Sequence, residues 1–508
     1  MLKKILVLIS IIVGIECGGQ TLKSKLQTIF NENDLMGMSV YAFSGTNEVT
    51  HNFGKRDINK NLLVDNNTKY RIASVSKSFT ALGLMKLFDK KKFLLDDDIS
   101  TYLGYTVRNP RFPNSKITFR MLLSHTSSLQ DGAGYNPFTA TLSQNPIPNI
   151  KNLILPTGNA YSSSMWRTET PGNYFVYSNL NYGLIATLIE KISNVRFDIY
   201  MKNEILLPLG ITGSYNVRDI SPIVNVATIY RKPGSWVPQV DDFNGNHPVI
   251  PANLTGYVPG TNGLSFGPQG SLRISVGEVG KFLKFIRSNG LTVPQLISEN
   301  TIKAMKTAQW TSNGSNGQTL GGIFNKYGLG LHFSNTIQND FICNKQTLGD
   351  FIGHPGEAYG LISDAYFSVK DDKGFVFATN GVGVGIAFGS NAYYSLENKV
   401  FDALCSYFSQ TSSSRISDVE DSDVEDLESK IILFPNPSNN FFTVKRQNSN
   451  LLYYELVNSF GKIVIQRTLE SKNNFQINTE NLYSGIYTLK IQENNQVYYK
   501  KIIVNHKL

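Results

Sequence analysis

Hydrophobic and polar positions divide the chain into three stretches with different periodicities. In residues 431–508, apolar and polar positions alternate in short segments separated by Asn, Gly and Ser turns, which predicts a small β-sandwich. Residues 411–430 carry a tandem SDVED without apolar periodicity, and we predict an extended acidic linker because such a segment cannot bury a core. The clustered carboxylates of this segment make a calcium site the alternative interpretation. The segment lacks, however, the glycine at which an EF-hand loop turns.

The largest stretch, residues 20–410, has strand-like ends and a helical middle. Strand patterns occur at residues 39–43, 327–333, 349–354, 359–369 and 375–379. Helical patterns follow Ser74 and Thr118, the latter as an expected N-cap, and recur at residues 182–192, 276–285 and 394–407. We therefore predict an α/β (α+β) domain in which one antiparallel sheet, built from both ends, is flanked by helices and carries an inserted helical subdomain. The cleft between sheet and subdomain is the expected functional site.

Residues 1–19 predict a secretory signal peptide. A basic start is followed by an apolar run and by small residues before Gln20, and the run is too short to span a bilayer. Cys17 leaves lipidation open as an alternative, although Glu16 directly before it is unfavourable for that signal. We therefore expect an exported protein, secreted or held at the outer-membrane surface.

Composition narrows the possible partners. The net charge is +9, from 48 Lys and Arg against 39 Asp and Glu, but the basic residues are spread along the chain, so we expect no nucleic-acid partner. The six His are scattered and no CxxC or HExxH occurs, so we expect no metal and no other cofactor. Export makes a disulfide between Cys343 and Cys405 possible, and two unpaired thiols are equally compatible with the sequence.

The segment RIASVSKSFT, residues 71–80, places Ser74 and Lys77 three residues apart at the start of a helix. Residues at this spacing share a helix face, so the Lys77 amine can reach the Ser74 hydroxyl. A partly desolvated lysine loses proton affinity and can accept the serine proton, while N–H groups at the helix start can stabilise an oxyanion. Taken alone, the segment still favours a capped helix with a solvated lysine.

Two further patterns change this interpretation. Tyr177 and Asn179 form a YSN in the helical region, and HPG, which holds His354 and Gly356, lies on a late strand. A tyrosine near a lysine can move protons, an asparagine can orient the lysine and bind a substrate amide, and a strand glycine admits substrate backbone. Together with Ser74 these residues meet the requirements of a serine acyl-transfer site.

A competing nucleophile is Ser265 in GLSFG, a formal G-x-S-x-G. A nucleophile elbow needs a buried strand before it and a helix directly after it. PGTN precedes this segment and GPQG follows it, so we predict a loop and not an elbow.

In this order, SVSK, YSN and HPG resemble the three motifs of the serine β-lactamases and penicillin-binding DD-peptidases, S-x-x-K, Y-x-N and [KH]-x-G. The similarity is closest to the class C-like branch, which also holds esterases and D-aminopeptidases. The flanking stretches KYRIASVSKSFTALGLMKLF and PGNYFVYSNLNYGLIATLIE are similar too, and the resemblance covers about residues 22–408. It implies a β-lactamase/transpeptidase-like fold and an enzyme of the serine hydrolase class.

The resemblance also implies roles for individual residues. It implies Ser74 as the nucleophile and Lys77 with Tyr177 as the proton-transfer pair. It implies an oxyanion hole formed by two backbone N–H groups, those of Ser74 and Glu357. The substrate-binding residues that it implies are Asn179, His354 and Gly356.

Two departures from the family pattern bear on the substrate. Pro355 stands where a Thr or Ser hydroxyl usually helps to bind a substrate carboxylate, and it has neither a hydroxyl nor an N–H. His354 is mostly neutral near pH 7, unlike the lysine of many members. We therefore expect a D-alanyl-D-alanine carboxypeptidase or D-amino-acid peptidase acting on a peptidoglycan stem peptide, a D-amino-acid peptide or an ester. A carboxylesterase, a weak β-lactamase and a catalytically inactive binding protein of the same fold are the alternatives.

The C-terminal stretch carries a second resemblance. LFPNPSNNFFTV, NLYSGIYTLKI and KKIIV resemble, in order and spacing, the type A C-terminal sorting domain of the type IX secretion system, over about residues 432–508. This resemblance implies the type IX secretion machinery as a partner of residues 431–508. A β-sandwich that binds carbohydrate or protein is the alternative.

Overall fold

The computed structural model describes residues 21–249, 254–334, 339–343, 349–383, 387–417, 431–446, 452–458, 463–469, 474–493 and 496–506. The chain forms two compact units, Met1–Ser409 and Gln410–Leu508. The predicted signal peptide and residues 418–430 of the predicted linker lie outside the described residues. Residues 411–417, predicted as extended linker, instead continue the last helix of the first unit, since neither Gly nor Pro interrupts them.

Eleven α-helices lie in the described residues, all of them beginning in the first unit. They are α1 (Leu22–Glu32), α2 (Ser76–Asp89), α3 (Ile99–Leu103), α4 (Phe119–Leu123), α5 (Tyr135–Ala140), α6 (Lys151–Ile154), α7 (Asn179–Ser193), α8 (Phe197–Met201), α9 (Val276–Arg287), α10 (Glu299–Met305) and α11 (Ser395–Ser417). Thr118 caps α4 as predicted, because its hydroxyl accepts a bond from the backbone N–H of Met121. No helix among the described residues is long and apolar enough to cross a membrane.

The strands of the first unit are β1 (Gly37–Ser44), β2 (Asn47–Asp57), β3 (Leu62–Leu63), β4 (Tyr70–Arg71), β5 (Ile229–Arg231), β6 (Val237–Val240), β7 (Arg273–Ile274), β8 (Trp310–Thr311), β9 (Lys326–Tyr327), β10 (His332–Ser334), β11 (Phe351–Ala358), β12 (Leu361–Ser368) and β13 (Lys373–Thr379). Nine of them form one sheet in the order β3-β2-β1-β13-β12-β11-β10-β9-β8, in which each strand is antiparallel to its neighbours. The sheet is thus built from both ends of the domain, as predicted.

Both faces of this sheet are covered, which explains why every residue of β1 is buried. Along β1, Tyr41 and Phe43 point into the core shared with α2, α7 and α9, while Val40 and Ala42 point into a second core shared with α1 and α11. This alternation is the period of two that a strand imposes. The helical region between β4 and β8 packs on the first face only, so it forms one wall of a cleft whose other wall is the sheet.

The prediction of one continuous strand at residues 327–333 is wrong, because the structure has two short strands there, β9 and β10. Gly330 lies between β9 and β10 with a φ of 76°, a left-handed conformation that ends an extended segment. A Cβ at this position would lie 2.3 Å from the Cβ of Ala81 on α2. The break therefore lets the chain pass close to the helix that follows Ser74.

A disulfide joins Cys343 to Cys405 of α11 across a sequence separation of 62 residues, with 5.8 Å between the two Cα atoms. Closing a loop of this length in the unfolded chain stabilises the folded state by roughly 4 kcal/mol in the chain-entropy description. The bond resolves the alternative that the sequence leaves open and is consistent with an exported protein.

The second unit contains β14 (Ile431–Phe434), β15 (Phe441–Arg446), β16 (Leu452–Asn458), β17 (Ile463–Leu469), β18 (Asn474–Asn478), β19 (Gly485–Glu493) and β20 (Gln496–Val504). They form two sheets, β14-β15-β18 and β17-β16-β19-β20. Phe442 and Ile477 from the first sheet and Leu456 and Leu489 from the second lie in one hydrophobic core. Two sheets that share a core make the predicted β-sandwich.

Candidate active site

Ser74 lies at the centre of a 3-10 turn, Ala73–Val75, directly before α2. The sequence predicts Ser74 in the first helical turn, and the structure differs because Ala73 has a φ of 41°, a left-handed conformation that an alanine adopts only at a cost. Ala73 is held in this conformation by burial against Ile229 and Leu361. The strained turn places the Ser74 hydroxyl in the cleft, where it lines a cavity.

Lys77 is buried one turn after Ser74, and its amine contacts three acceptors. Nζ lies 3.0 Å from Ser74 Oγ, 2.8 Å from Asn179 Oδ1 and 3.0 Å from the backbone carbonyl of Gln269. Burial lowers the pKa of Lys77 to about 7, although the nearby Asp131 opposes this shift. Desolvation disfavours the charged amine, so the protonated and neutral forms have similar populations near neutral pH.

Tyr177 lies beside this pair. Its ring centroid is 4.7 Å from Lys77 Nζ, and the ring stacks on Phe324 at 4.8 Å. The buried Tyr177 hydroxyl makes no well-formed hydrogen bond to the described residues, even though Ser74 is near enough to oppose the effect of burial on its pKa. Burial dominates and raises the pKa of Tyr177 well above its usual value, so the hydroxyl keeps its proton and has a free donor for a reacting group.

Asn179, the first residue of α7, is held by a carboxylate that the sequence analysis missed. Asp131 Oδ2 accepts bonds from the backbone N–H and the side-chain Nδ2 of Asn179, at 2.9 and 2.8 Å. Its other oxygen accepts bonds from Ser178 Oγ and from the backbone N–H of Leu180, both at 2.9 Å. Asp131 therefore fixes the Asn179 amide so that Oδ1 faces Lys77. In the sequence, Asp131 directly follows HTSSLQ and belongs to no motif, so the sequence alone does not indicate its role.

The strand β11 brings HPG against the Ser74 turn. A Cβ at Gly356 would lie 2.7 Å from the Ile72 carbonyl oxygen and 3.1 Å from the Ser74 nitrogen, so glycine is required for the strand to approach this closely. Ser363 on β12 donates a 2.9 Å hydrogen bond to the same Ile72 carbonyl. The backbone of Glu357 follows directly on β11, beside the Ser74 turn.

His354 lies close to Tyr177, with 6.0 Å between the ring centroids, but it is buried. Its Nδ1 is 2.6 Å from the Pro355 carbonyl oxygen, so Nδ1 donates, and its Nε2 is 2.9 Å from the Tyr327 hydroxyl, so Nε2 accepts. Burial and the proximity of Lys77 lower the pKa of His354 well below its usual value. Both nitrogens have protein partners, so a direct contact of His354 with substrate has no geometric support.

His125 is a second buried imidazole that the sequence analysis missed. Its ring lies 4.6 Å from Tyr177 and 5.1 Å from Tyr327, centroid to centroid, and its Nδ1 accepts a bond from the backbone N–H of Ser178 at 3.1 Å. Burial and the charge of Lys77 lower its pKa well below the usual value. Neutral His125 therefore packs against the Tyr177 ring. It is the first residue of the segment HTSSL, and no motif or spacing in the sequence indicates this role.

The cavity in front of Ser74 has a volume of about 290 Å³. Its lining includes Tyr177, Pro355, Gly356 and Glu357, together with aromatic and aliphatic side chains from the segments before β9 and α11. Of the predicted site residues, Ser74, Tyr177, Gly356 and Glu357 line this cavity, whereas Lys77, Asn179 and His354 lie behind them.

A larger cavity of about 580 Å³ lies elsewhere in the first unit and contains Ser265 but not Ser74. Ser265 sits on a 3-10 turn, Gly263–Phe266, and the turn follows Asn262 with no strand directly before it. The prediction that this serine is not on a nucleophile elbow is confirmed. Within the described residues, no group of three or more His, Cys, Asp or Glu side chains is arranged to hold a metal ion.

Residues 22–398 match the family model described as Beta-lactamase. The chain therefore belongs to the beta-lactamase family, a family of serine hydrolases, which confirms the resemblance drawn from SVSK, YSN and HPG. Residues 432–505 match the model of a secretion system C-terminal sorting domain. This match confirms the second resemblance and identifies the β-sandwich as a domain for type IX secretion.

Among curated relatives, the chain is 31% identical over 209 residues to penicillin-binding protein 4* of Bacillus subtilis (strain 168), which covers 40% of this chain and 44% of that protein. It is 31% identical over 160 residues to protein flp of Staphylococcus aureus (strain N315), covering 32% of this chain and 30% of that protein. The matched region thus spans less than half the length of these relatives.

Solved structures share the fold at lower identity. An octameric penicillin-binding protein homologue from Pyrococcus abyssi has a TM-score of 0.53 and 20% identity over 95% of this chain and 96% of its own. A D-amino acid amidase from Ochrobactrum anthropi SV3 has a TM-score of 0.52 and 20% identity over 75% of this chain and 98% of its own. These likenesses confirm the predicted β-lactamase/transpeptidase-like fold.

Proposed function

We propose that the protein is an exported hydrolase that cleaves an amide or ester bond through an acyl-enzyme on Ser74. The observation that carries this proposal is the environment of Lys77. Two of its three neighbours, Asn179 Oδ1 and the Gln269 carbonyl, can only accept hydrogen bonds. When Lys77 is neutral, its two N–H bonds satisfy these acceptors and its lone pair points to Ser74 Oγ at 3.0 Å.

In this geometry neutral Lys77 is the general base for acylation. As Ser74 Oγ forms a bond to the substrate carbonyl carbon, Lys77 Nζ takes the serine proton. The backbone N–H groups of Ser74 and Glu357 are the proposed donors to the oxygen that becomes negative. Gly356 permits this arrangement because only a residue without Cβ lets β11 lie against the Ser74 turn.

Collapse of the tetrahedral intermediate requires a proton on the leaving nitrogen or oxygen. Tyr177 keeps its proton and its hydroxyl is free to give that proton to the leaving group, with protonated Lys77 restoring it. Water then attacks the acyl carbon and gives one proton to Lys77, which is neutral again. The bond to Ser74 Oγ breaks, Lys77 passes this proton to Ser74 Oγ, and the carboxylic acid leaves. Asn179 and its partner Asp131 are positioning residues for Lys77 in this scheme.

We favour a D-amino-acid amide or peptide as substrate, including a D-alanyl-D-alanine peptide, with esters as alternative substrates and β-lactams as poor ones. The cavity in front of Ser74 lacks the fixed lysine and the hydroxyl that bind a carboxylate in the family, since His354 is buried and neutral and Pro355 has no donor. The fold shared with a D-amino acid amidase is in line with this preference. A catalytically inactive binding protein is the alternative.

The test is covalent labelling followed by turnover. A fluorophosphonate probe should add one label to the wild-type protein and none to Ser74→Ala, as read by intact mass and peptide mapping. Ser265→Ala is the matched control and should label like wild type. Labelling that persists in Ser74→Ala contradicts the proposal. A panel of p-nitrophenyl esters, nitrocefin and D-amino-acid amides then separates the enzyme from an inactive binder, which turns over none of them.

We propose that export begins with removal of residues 1–19 as a signal peptide. The type IX machinery then recognises residues 431–508 and carries the protein across the outer membrane. A reporter fused to residues 411–508 should reach the surface or medium of a type IX-competent host. A reporter that remains periplasmic contradicts this part of the proposal. The same experiment, followed by fractionation, separates surface attachment from release.

A further inference from the structure

The lining of the cavity in front of Ser74 contains carboxyl groups. Glu357 and Glu397 both line it, and none of its described lining residues is a Lys, Arg or His. The positive group nearest to the nucleophile, Lys77, is buried behind it. Charge in the space open to substrate therefore comes from carboxyl groups, and such a space attracts cations and repels anions.

Behind Glu397 lies a second carboxyl group, that of Asp364 on β12, opposite Pro355 in the register of β11 and β12. Both Asp364 oxygens are buried without a hydrogen-bond donor among the described residues. Glu397 is the charged neighbour that affects the pKa of Asp364. Burial raises the pKa of both carboxyl groups, and the charge of Glu397 raises that of Asp364 further. Two such groups in contact hold together by sharing a proton. This end of the cavity has more acceptors than donors.

Aromatic rings complete the rim. Phe388 is 74% exposed, an unusual state for a phenylalanine, and it stacks on Tyr394 at 5.1 Å. Tyr394 donates a 2.7 Å hydrogen bond to Glu357, so the exposed aromatic pair adjoins the carboxylate. Aromatic faces beside carboxylates bind ammonium groups through cation–π and charge-assisted hydrogen bonds.

We infer that this cavity selects substrates that carry an ammonium group next to the scissile carbonyl, with Glu357 and Glu397 as the residues that determine specificity. The inference rests on the proposed function, in which Ser74 attacks that carbonyl. An ammonium supplies the donors that this acceptor-rich cavity lacks. A substrate carboxylate would instead face carboxyl groups with no compensating cation among the described lining residues, which weakens its binding. Within the proposed substrate class, D-amino-acid amides are therefore favoured over D-alanyl-D-alanine peptides.

The experiment compares substrates that differ in one charge, using the full-length protein. On the acyl side, D-alanine p-nitroanilide is compared with its N-acetyl and N-succinyl derivatives. On the leaving-group side, the 2-aminoethyl thioester of N-acetyl-D-alanine is compared with the ethyl thioester. We expect the cationic member of at least one pair to have a kcat/KM about tenfold above its neutral partner, chiefly through KM, and the anionic derivative to be slowest. Equal values within both pairs overturn the inference.

Two variants assign the selectivity to residues. Glu357→Gln and Glu397→Gln retain the shapes of the side chains and should each reduce the ratio of cationic to neutral kcat/KM by about threefold to tenfold. The ratio is the readout, because a general loss of activity would lower both values together. Glu299→Gln on α10 removes a remote exposed carboxylate and should leave the ratio unchanged. A ratio that survives in both cavity variants overturns the assignment. The wild-type substrate comparison stands even if a variant does not fold.

Failure of this inference is distinguishable from failure of the proposed function. If no fluorophosphonate label reaches Ser74 and no substrate turns over, the proposed function fails. If Ser74 is labelled and kcat/KM does not depend on the charge of the substrate, only the inference fails.

Discussion

Near Ser74, the first unit holds basic side chains in two different environments, one around Lys77 and one around Arg71 and Arg273, and the two environments differ in how the charge is compensated. Lys77 has neutral acceptors around it, and burial lowers its pKa to about 7. Arg71 and Arg273, in contrast, share the buried carboxylate of Asp241, at 2.9 and 2.7 Å. The two guanidinium groups hold the pKa of Asp241 well below its usual range.

The difference teaches that burial alone does not distinguish a reactive group from a structural one. At Asp241, attraction to the two guanidinium groups outweighs desolvation, so this carboxyl group stays ionised. The cluster joins β4 and β7 to the segment after β6. Around Lys77, desolvation outweighs the opposing charge of Asp131, so the amine can exchange a proton near pH 7. The first arrangement favours stability and the second favours chemistry.

The largest effect is expected from Lys77→Met, which retains the length of the side chain and removes the amine. Without a base, the rate of acylation of Ser74 should fall by about 10³-fold, measured by the rate of fluorophosphonate or ester consumption. Stability at pH 7 should equal or exceed that of wild type, because folding no longer has to desolvate an amine. A variant that is strongly destabilised, or that acylates at the wild-type rate, would contradict this assignment.

The opposite outcome is expected from Asp241→Asn. Removal of the carboxylate leaves the buried Arg273 guanidinium beside that of partly buried Arg71 without a counter-charge, so the free energy of unfolding should fall by about 3–5 kcal/mol, measured by urea denaturation. The folded fraction should keep its kcat/KM within a few-fold. Since the pKa of Asp241 is depressed in the folded state, the stability that it contributes is present above its unfolded pKa and is lost as the pH falls, and the variant should lose this acid dependence. Normal stability with lost activity would reverse the comparison.

The sequence predicts the nucleophile of the reactive cluster but little of what tunes it. Ser74, Lys77 and Tyr177 belong to short motifs, and the strands and helices that carry them follow from periodicity. Gln269 contributes a backbone carbonyl, which leaves no signal in the identity of its side chain. Asp131 acts through the start of a helix 48 residues away, a pairing set by tertiary packing.

The same limit holds for the rest of the fold. The break between β9 and β10 depends on a close approach of Gly330 to α2, and the left-handed turn at Ala73 depends on burial against Ile229 and Leu361 from two distant strands. Glu397 reads as an ordinary acidic residue in the first turn of a helix, and only the sheet places it against Asp364. Local sequence predicts the elements, whereas charge compensation is decided by which elements meet.

The smallest and sharpest test is the pH dependence of acylation. If neutral Lys77 is the base, as proposed, its pKa of about 7 means that kcat/KM for a neutral ester should rise through pH 7 and reach a plateau above it. Asp131 opposes the lowering of that pKa, so Asp131→Asn should move the rising limb to lower pH, while loosening of Asn179 should reduce the plateau by about tenfold. Asp96→Asn, an exposed carboxylate paired with Arg120, is the control and should leave the limb in place. A rising limb that moves to higher pH in Asp131→Asn, or that is absent in wild type, would show that Lys77 is not the titrating base. Lys77 would then have a structural role, like the arginine cluster.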